Sequence, residues 1–164
     1  MQAGTSVRHA RPADARQMAR VHVDGWRQTY RGTVPDAVLD DPELLATRER
    51  FWDGALTDDR WARNVVAVAE FGGTVVGIAM AGPPPDPEAW WRVQLHVLYV
   101  DAAHHGSGAA AALLDTVVDP TAPSALWVAD PNPRAQAFYR KHGFAPDGHA
   151  RTEDGVRELR WVRP

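Results

Sequence analysis

Two stretches, read together, constrain this chain more than any other feature. The first is Leu98-Tyr99-Val100-Asp101-Ala102-Ala103-His104-His105-Gly106-Ser107-Gly108, running into the alanines Ala109 to Ala112 and then Leu113-Leu114. An apolar run, a glycine-containing turn and a strongly helix-forming segment predict a β-strand, a tight turn and a helix. Gly106 and Gly108 carry no side chains, and alanine keeps the first helical turn nearly bare. Such a turn offers backbone N–H groups and the positive end of a helix dipole to a phosphate. The second stretch is Asn132-Pro133-Arg134-Ala135-Gln136-Ala137-Phe138-Tyr139-Arg140-Lys141-His142-Gly143-Phe144. It predicts a helix with Asn132 at its start, proline in the permitted first turn, and Tyr139 seven residues after the asparagine. The pair implies a phosphorylated ligand and a candidate proton donor.

The rest of the chain bounds that reading. With 164 residues it is long enough for one domain, 1–164, with a real core. Cysteine is absent, which excludes disulfides, cysteine zinc sites and thiol catalysis. The net charge of −3 and the lack of a basic stripe argue against broad nucleic-acid binding. No run approaches the roughly 18–20 apolar residues of a membrane span. Met1 to Arg11 lacks an apolar core of the secretory kind. The expectation is a cytoplasmic protein with no membrane partner.

Periodicity and punctuation give the order of elements. Ser6 to Arg11 reads as a strand, and Pro12-Ala13-Asp14 opens a helix to about Tyr30, broken by Gly32 and Pro35. Asp36 to Leu56 is helical but interrupted at Pro42. Val65–Phe71 and Thr74–Ala81 read as strands joined by Gly72-Gly73, a hairpin signal. After the proline-rich loop from Gly82 to Pro87 come a strand over Trp90–Val100, a helix over Gly108–Val118, a strand over Ala125–Ala129 and a helix over Pro133–His142. Phe144–Ala150 and Val156–Val162 close the chain around a turn at Asp154-Gly155. This order predicts an α/β fold, a mixed sheet flanked by helices.

At this point the chain resembles the GNAT superfamily of acyl-CoA-dependent N-acyltransferases. The signature there is an apolar strand ending in Val, a Gln/Arg-x-x-Gly-x-Gly/Ala turn and a helix. His105-Gly106-Ser107-Gly108-Ala109-Ala110 matches it, with His105 where Gln or Arg is usual. The second signature is carried by Asn132, Ala135, Phe138, Tyr139, Lys141, Gly143 and Phe144. Arg8, Pro12-Ala13-Asp14, Val21-His22, Trp26, Tyr30-Arg31-Gly32 and Val34-Pro35-Asp36 resemble the opening of small bacterial acetyltransferases, so the likeness covers nearly the whole chain.

The resemblance implies a mostly antiparallel sheet with splayed strands at the cofactor site, and acetyl-CoA as cosubstrate. The backbone of Leu98, Tyr99 and Val100 would pair with the pantetheine arm. The turn from His105 through Gly106, Ser107 and Gly108 to Ala109, Ala110 and Ala111 would take the diphosphate, and Asn132 would bond the pantetheine region. Tyr139 would protonate the departing thiolate, since phenol and thiol reference pKa values lie within about two units. Each residue also has a plainer use: Tyr139 as a core aromatic, Asn132 as a helix cap.

Gln94 stands where many relatives carry a Glu, and Gln cannot act as a base. The proton acceptor would then be His96, placed by period two on the face of Gln94, or water; His96 also reads as a satisfied strand histidine. Trp26, Tyr30, Trp90 and Gln94 fall in segments that would border the acceptor. Asp24, Asp86 and Glu88 are candidate carboxylates for a cationic amine, none with a clear position. His104-His105 beside Asp101 lacks a third ligand, so no metal is expected. The leading function is direct transfer of acetyl from acetyl-CoA to a primary amine of a small molecule. The alternatives are acetylation of a protein or peptide N-terminus, and a non-catalytic acyl-CoA-binding regulatory module on the same fold. The resemblance also allows a homodimer through the C-terminal strands.

Overall fold

The computed structural model describes residues 4–164. Seven strands form one sheet in the order β1 (Thr5–His9), β2 (Val65–Phe71), β3 (Thr74–Gly82), β4 (Val93–Val100), β5 (Ser124–Ala129), β7 (Val156–Arg163), β6 (Ala145–Glu153). Every neighbouring pair is antiparallel except β4 and β5, which run parallel. The helices are α1 (Ala15–Tyr30), α2 (Asp36–Leu39), α3 (Leu44–Thr57), α4 (Ala109–Val117) and α5 (Pro133–Lys141). The mixed, helix-flanked sheet is the predicted one. Pro42 does separate two helices, and Gly72-Gly73 does turn a hairpin, both glycines at positive φ.

Strand β3 shows why its sequence is apolar without alternation. Ile78 and Met80 enter one core with Met18, Trp52 and Val97, beneath α1 and α3. Ala79 and Ala81 enter the other, with Leu113, Leu114, Leu126 and Trp161, beneath α4. A sheet covered on both faces needs apolar residues at every position of its central strands. Gly77 eases the packing on the α4 side: a Cβ there would stand 3.0 Å from Leu113 Cδ1 and 3.2 Å from Ala69 Cβ, tighter than ordinary contact.

The strand expected from Trp90 begins at Val93 instead. Trp91 turns inward, 4% exposed, and its Nε1–H donates to Gln94 Oε1 at 3.3 Å.

Under α1 and α3 lies a buried polar contact with a pH consequence. Trp52 Nε1–H donates to Nδ1 of buried His22 at 3.2 Å. Burial, helped by the Arg48 charge, lowers the His22 pKa to about 3. The unfolded chain takes up this proton near pH 6.5 and the folded chain only near 3, so stability falls as pH drops through that interval. Between pH 7.5 and 4.5 the loss through this residue is about 3 kcal/mol. His22→Gln keeps an acceptor for Trp52 and removes the titration. Urea unfolding at the two pH values is expected to show a smaller acid loss in the variant; an undiminished loss would assign it to other groups.

Candidate active site

The site originates where β4 and β5 part. Their ladder has three pairs, Val93↔Ser124, Gln94↔Ala125 and Leu95↔Leu126, and then ends. Beyond it β4 stays paired to β3 as far as Val100, and β5 stays paired to β7 as far as Ala129. The facing edges of His96–Val100 and Trp127–Ala129 are therefore left without strand partners, and a cleft of about 810 Å³ opens between them. That lies within the roughly 300–1,000 Å³ usual for ligand clefts.

A β-bulge lies at the same point. Met80 pairs with Val97 and Ala81 with Leu95, so His96 is the extra residue. The bulge changes the phase of the strand: Leu95 and Leu98 pack on the α4 core, Val97 and Tyr99 on the α1–α3 core. The period-two argument that put His96 on the face of Gln94 therefore does not carry across the bulge. His96 lines the cleft, whereas Gln94 is 7% exposed, still inside the paired part of β4 and bonded to Trp91. Desolvation lowers the His96 pKa, partly offset by the Pro83 carbonyl, so its imidazole is neutral at pH 7 with a lone pair.

The turn after β4 is built for a backbone site. Gly106 and Gly108 have φ of +78° and +88°, conformations that glycine adopts without strain. Ser107 Oγ accepts from Ala109 N–H at 3.3 Å, and the first intrahelical bond of α4 comes from Ala112 to the Gly108 carbonyl at 3.1 Å. Ala110 and Ala111 line the cleft, and their N–H groups have no acceptor within the helix. His105 folds back, and its Nε2–H donates to the Val100 carbonyl at 2.9 Å. The imidazole thus braces the turn against the end of β4. His104 also borders the cleft, with its ring 5.0 Å from that of Phe71. Among the described residues no group of three histidine or acidic side chains stands together as a metal site requires.

On the far bank, Asn132 caps α5, its Oδ1 accepting from Ala135 N–H at 3.3 Å; its NH2 group remains a donor beside the cleft. Tyr139 follows two helical turns later on the same face. It is 9% exposed, with its ring edge-on to Phe138 and Phe144. Burial raises its pKa above the usual 10, which keeps the phenol protonated. Tyr30 of α1 and Tyr99 of β4 also line the cleft, with hydroxyls facing each other.

The structure therefore gathers Tyr139, His96, Leu98–Val100, His105, Gly106 and Gly108–Ala111 of the turn, Asn132 and Tyr30 around one cleft. It leaves four expected residues outside: Ser107, whose hydroxyl is turned to Ala109 N–H; Gln94, as described; Trp90, 53% exposed and edge-on to Trp91; and Trp26, which packs against Tyr30 at 6.1 Å. Of the lining residues that the sequence reading did not place, two matter most for the cleft's shape and charge. Gly25 lets α1 lie against β4, since a Cβ would stand 2.5 Å from Tyr99 Cδ1; a glycine in mid-helix is the signal that could have marked it. Glu158 of β7 is the other.

Residues 24–144 match the Acetyltransferase (GNAT) family. The chain belongs to that family. It is 32% identical over 154 residues to a probable N-acetyltransferase of Mycobacterium tuberculosis, covering 89% of this chain and 83% of that protein. In fold it resembles the PaiA N-acetyltransferase of Thermoplasma acidophilum, solved in complex with coenzyme A, with a TM-score of 0.72, 14% identity and coverage of 95% and 97%. It also resembles the ribosomal-protein-alanine N-acetyltransferase of Brucella melitensis, with a TM-score of 0.69, 22% identity and coverage of 96% and 98%. This GNAT chain is an N-acetyltransferase whose cosubstrate is acetyl-CoA. No described helix is long and apolar enough to cross a membrane.

Proposed function

We propose that this chain, acting as one domain, acetylates the primary amine of a small molecule. The observation that carries the reading is the splay of β4 from β5 between a bare helix N-terminus and Tyr139. The diphosphate is assigned to the N–H groups from Gly106 to Ala111, the pantetheine arm to the edge of Leu98–Val100 and to Asn132. Within about 810 Å³ the cleft must also hold the pantetheine end, which leaves room for a small acceptor.

Acetyl-CoA supplies an acyl group on a thiol leaving group. The residues handle two protons. Neutral His96, or water beside it, takes one from the attacking amine, and Tyr139 holds the one that the departing sulfur needs. Tyr30 borders the acceptor, with Trp26 packed against its ring.

The chain has no cysteine, so a thiol reagent reports only coenzyme A. Purified protein with acetyl-CoA and a panel of alkylamines, polyamines, amino acids and short peptides is expected to release thiol with at least one small amine, its product heavier by one acetyl group. Transfer to peptides alone, or no transfer to any small amine, would overturn the small-molecule reading.

A further inference from the structure

The cleft is electrically uneven. Arg134, Lys141 and the open N–H groups of α4 lie along its lining, and among the described lining residues Glu158 is the one carboxylate. Glu158 sits opposite Ala129, at the last pair of the β5–β7 ladder, on the register face of Trp127 and Arg160. Its side chain is 15% exposed, and Oε1 accepts from Arg151 Nε at 3.0 Å. Arg151 is shared: it also meets Glu153 at 2.8 Å and lies over the Trp127 ring at 4.3 Å. One guanidinium against two carboxylates leaves this cluster with one negative charge. Nearby Arg157 and Asp130 face each other at 3.5 Å and cancel. Arg48 lies over the Trp26 ring at 5.9 Å, outside the lining.

We propose that Glu158 selects the acceptor: its carboxylate receives the amine as an ammonium ion beside the Tyr30 hydroxyl, so the site takes cationic alkylamines in preference to neutral arylamines. The inference rests on the small-amine reading above and names the feature that would choose among amines. Glu158 is within electrostatic range of Tyr30, whose pKa is raised by burial and then by this charge. A carboxylate suits the task of holding, not of deprotonating. Its reference pKa is about 4.3 against about 10.4 for an alkylamine, so the proton stays on nitrogen while the pair lasts and passes to His96 or water before the nitrogen can attack. The arrangement also separates the two substrates by charge, phosphates to the N–H-rich turn and ammonium to Glu158.

The test is equilibrium binding to protein saturated with coenzyme A, where no transfer takes place. At pH 7.5, 2-phenylethylamine and putrescine are cations and aniline is neutral. Calorimetry is expected to show at least one alkylamine binding the wild type and binding Glu158→Gln at least tenfold more weakly. Aniline and coenzyme A affinities should agree within twofold between the two proteins. The glutamine retains an oxygen for Arg151, so the β6–β7 hairpin keeps its contact. For whichever amine turns over, KM should rise while kcat stays within threefold, a split that a merely structural role would not produce. Alkylamines that bind both proteins equally, or that fail to bind the wild type, overturn the assignment. Failure of the small-amine reading registers separately, as thiol release with peptides alone.

Discussion

Ala110→Glu is expected to weaken coenzyme A binding by roughly 10²-fold while leaving the protein at least as stable as the wild type. Ala110 is the second residue of α4, half-buried on the lining of the cleft. Its own N–H and that of Ala111 are among the donors assigned to the diphosphate. A charge-assisted hydrogen bond contributes about 1.5–3 kcal/mol, so losing the use of two such donors corresponds, at the low end, to about two decades in Kd. An anionic side chain also repels a phosphate. The same negative charge in the first turn of a helix favours the helix by about 0.3–1 kcal/mol. Affinity and stability therefore move in opposite directions, which separates loss of the site from loss of the fold. Position 108 is a poorer probe, because at φ +88° any side chain strains the backbone. Calorimetry with coenzyme A and a thermal melt on the same sample read both quantities. Wild-type affinity in a folded Ala110→Glu protein would remove the turn from the cosubstrate site.

What could be read from the sequence was local. The glycine turn before α4, the Gly72-Gly73 hairpin and the Asn132-to-Tyr139 spacing each depend on residues a few positions apart, where backbone rules act directly. What could not be read depends on partners far along the chain. Nothing in the residues around Gln94 says that the ladder with β5 ends one pair later, yet that end point decides that Gln94 is a buried partner of Trp91 and His96 a cleft residue. The bulge at His96 exists only relative to β3, and inserting one residue inverts every inside–outside assignment after it. Glu158 lies in the charged run Arg157-Glu158-Leu159-Arg160, which reads as a solvated strand. Only the placing of β7 between β5 and β6 brings it to the cleft. Trp90 shows the opposite error: a large aromatic near the strand start suggests a pocket wall, but Trp91 takes the inward position and Trp90 stays outside.

Tyr139→Phe is expected to lower kcat by roughly 10²-fold, the low end for a lost general acid, with little change in coenzyme A affinity. The ring fills its place between Phe138 and Phe144 in either case, so the edge-on contacts and the α5 packing persist. What disappears is the proton. Burial adds a refinement to the simple comparison of reference values. It raises the phenol pKa, so the group is a weaker acid than in water, but also one that stays protonated across any practical assay pH. A thiolate leaving into the same poorly solvated space is made more basic by the same desolvation, which keeps donor and acceptor matched. The sign for pH dependence follows: a raised pKa moves ionisation of Tyr139 above pH 10, so the wild-type rate should not fall on its account between pH 7 and 9.5. If amine deprotonation limits the rate, it should instead rise over that range toward the pKa of the amine. Single-turnover rates in wild type and Tyr139→Phe over this interval decide the matter. A variant with wild-type turnover, or a wild-type profile falling with a midpoint near pH 9, would remove Tyr139 as the proton donor.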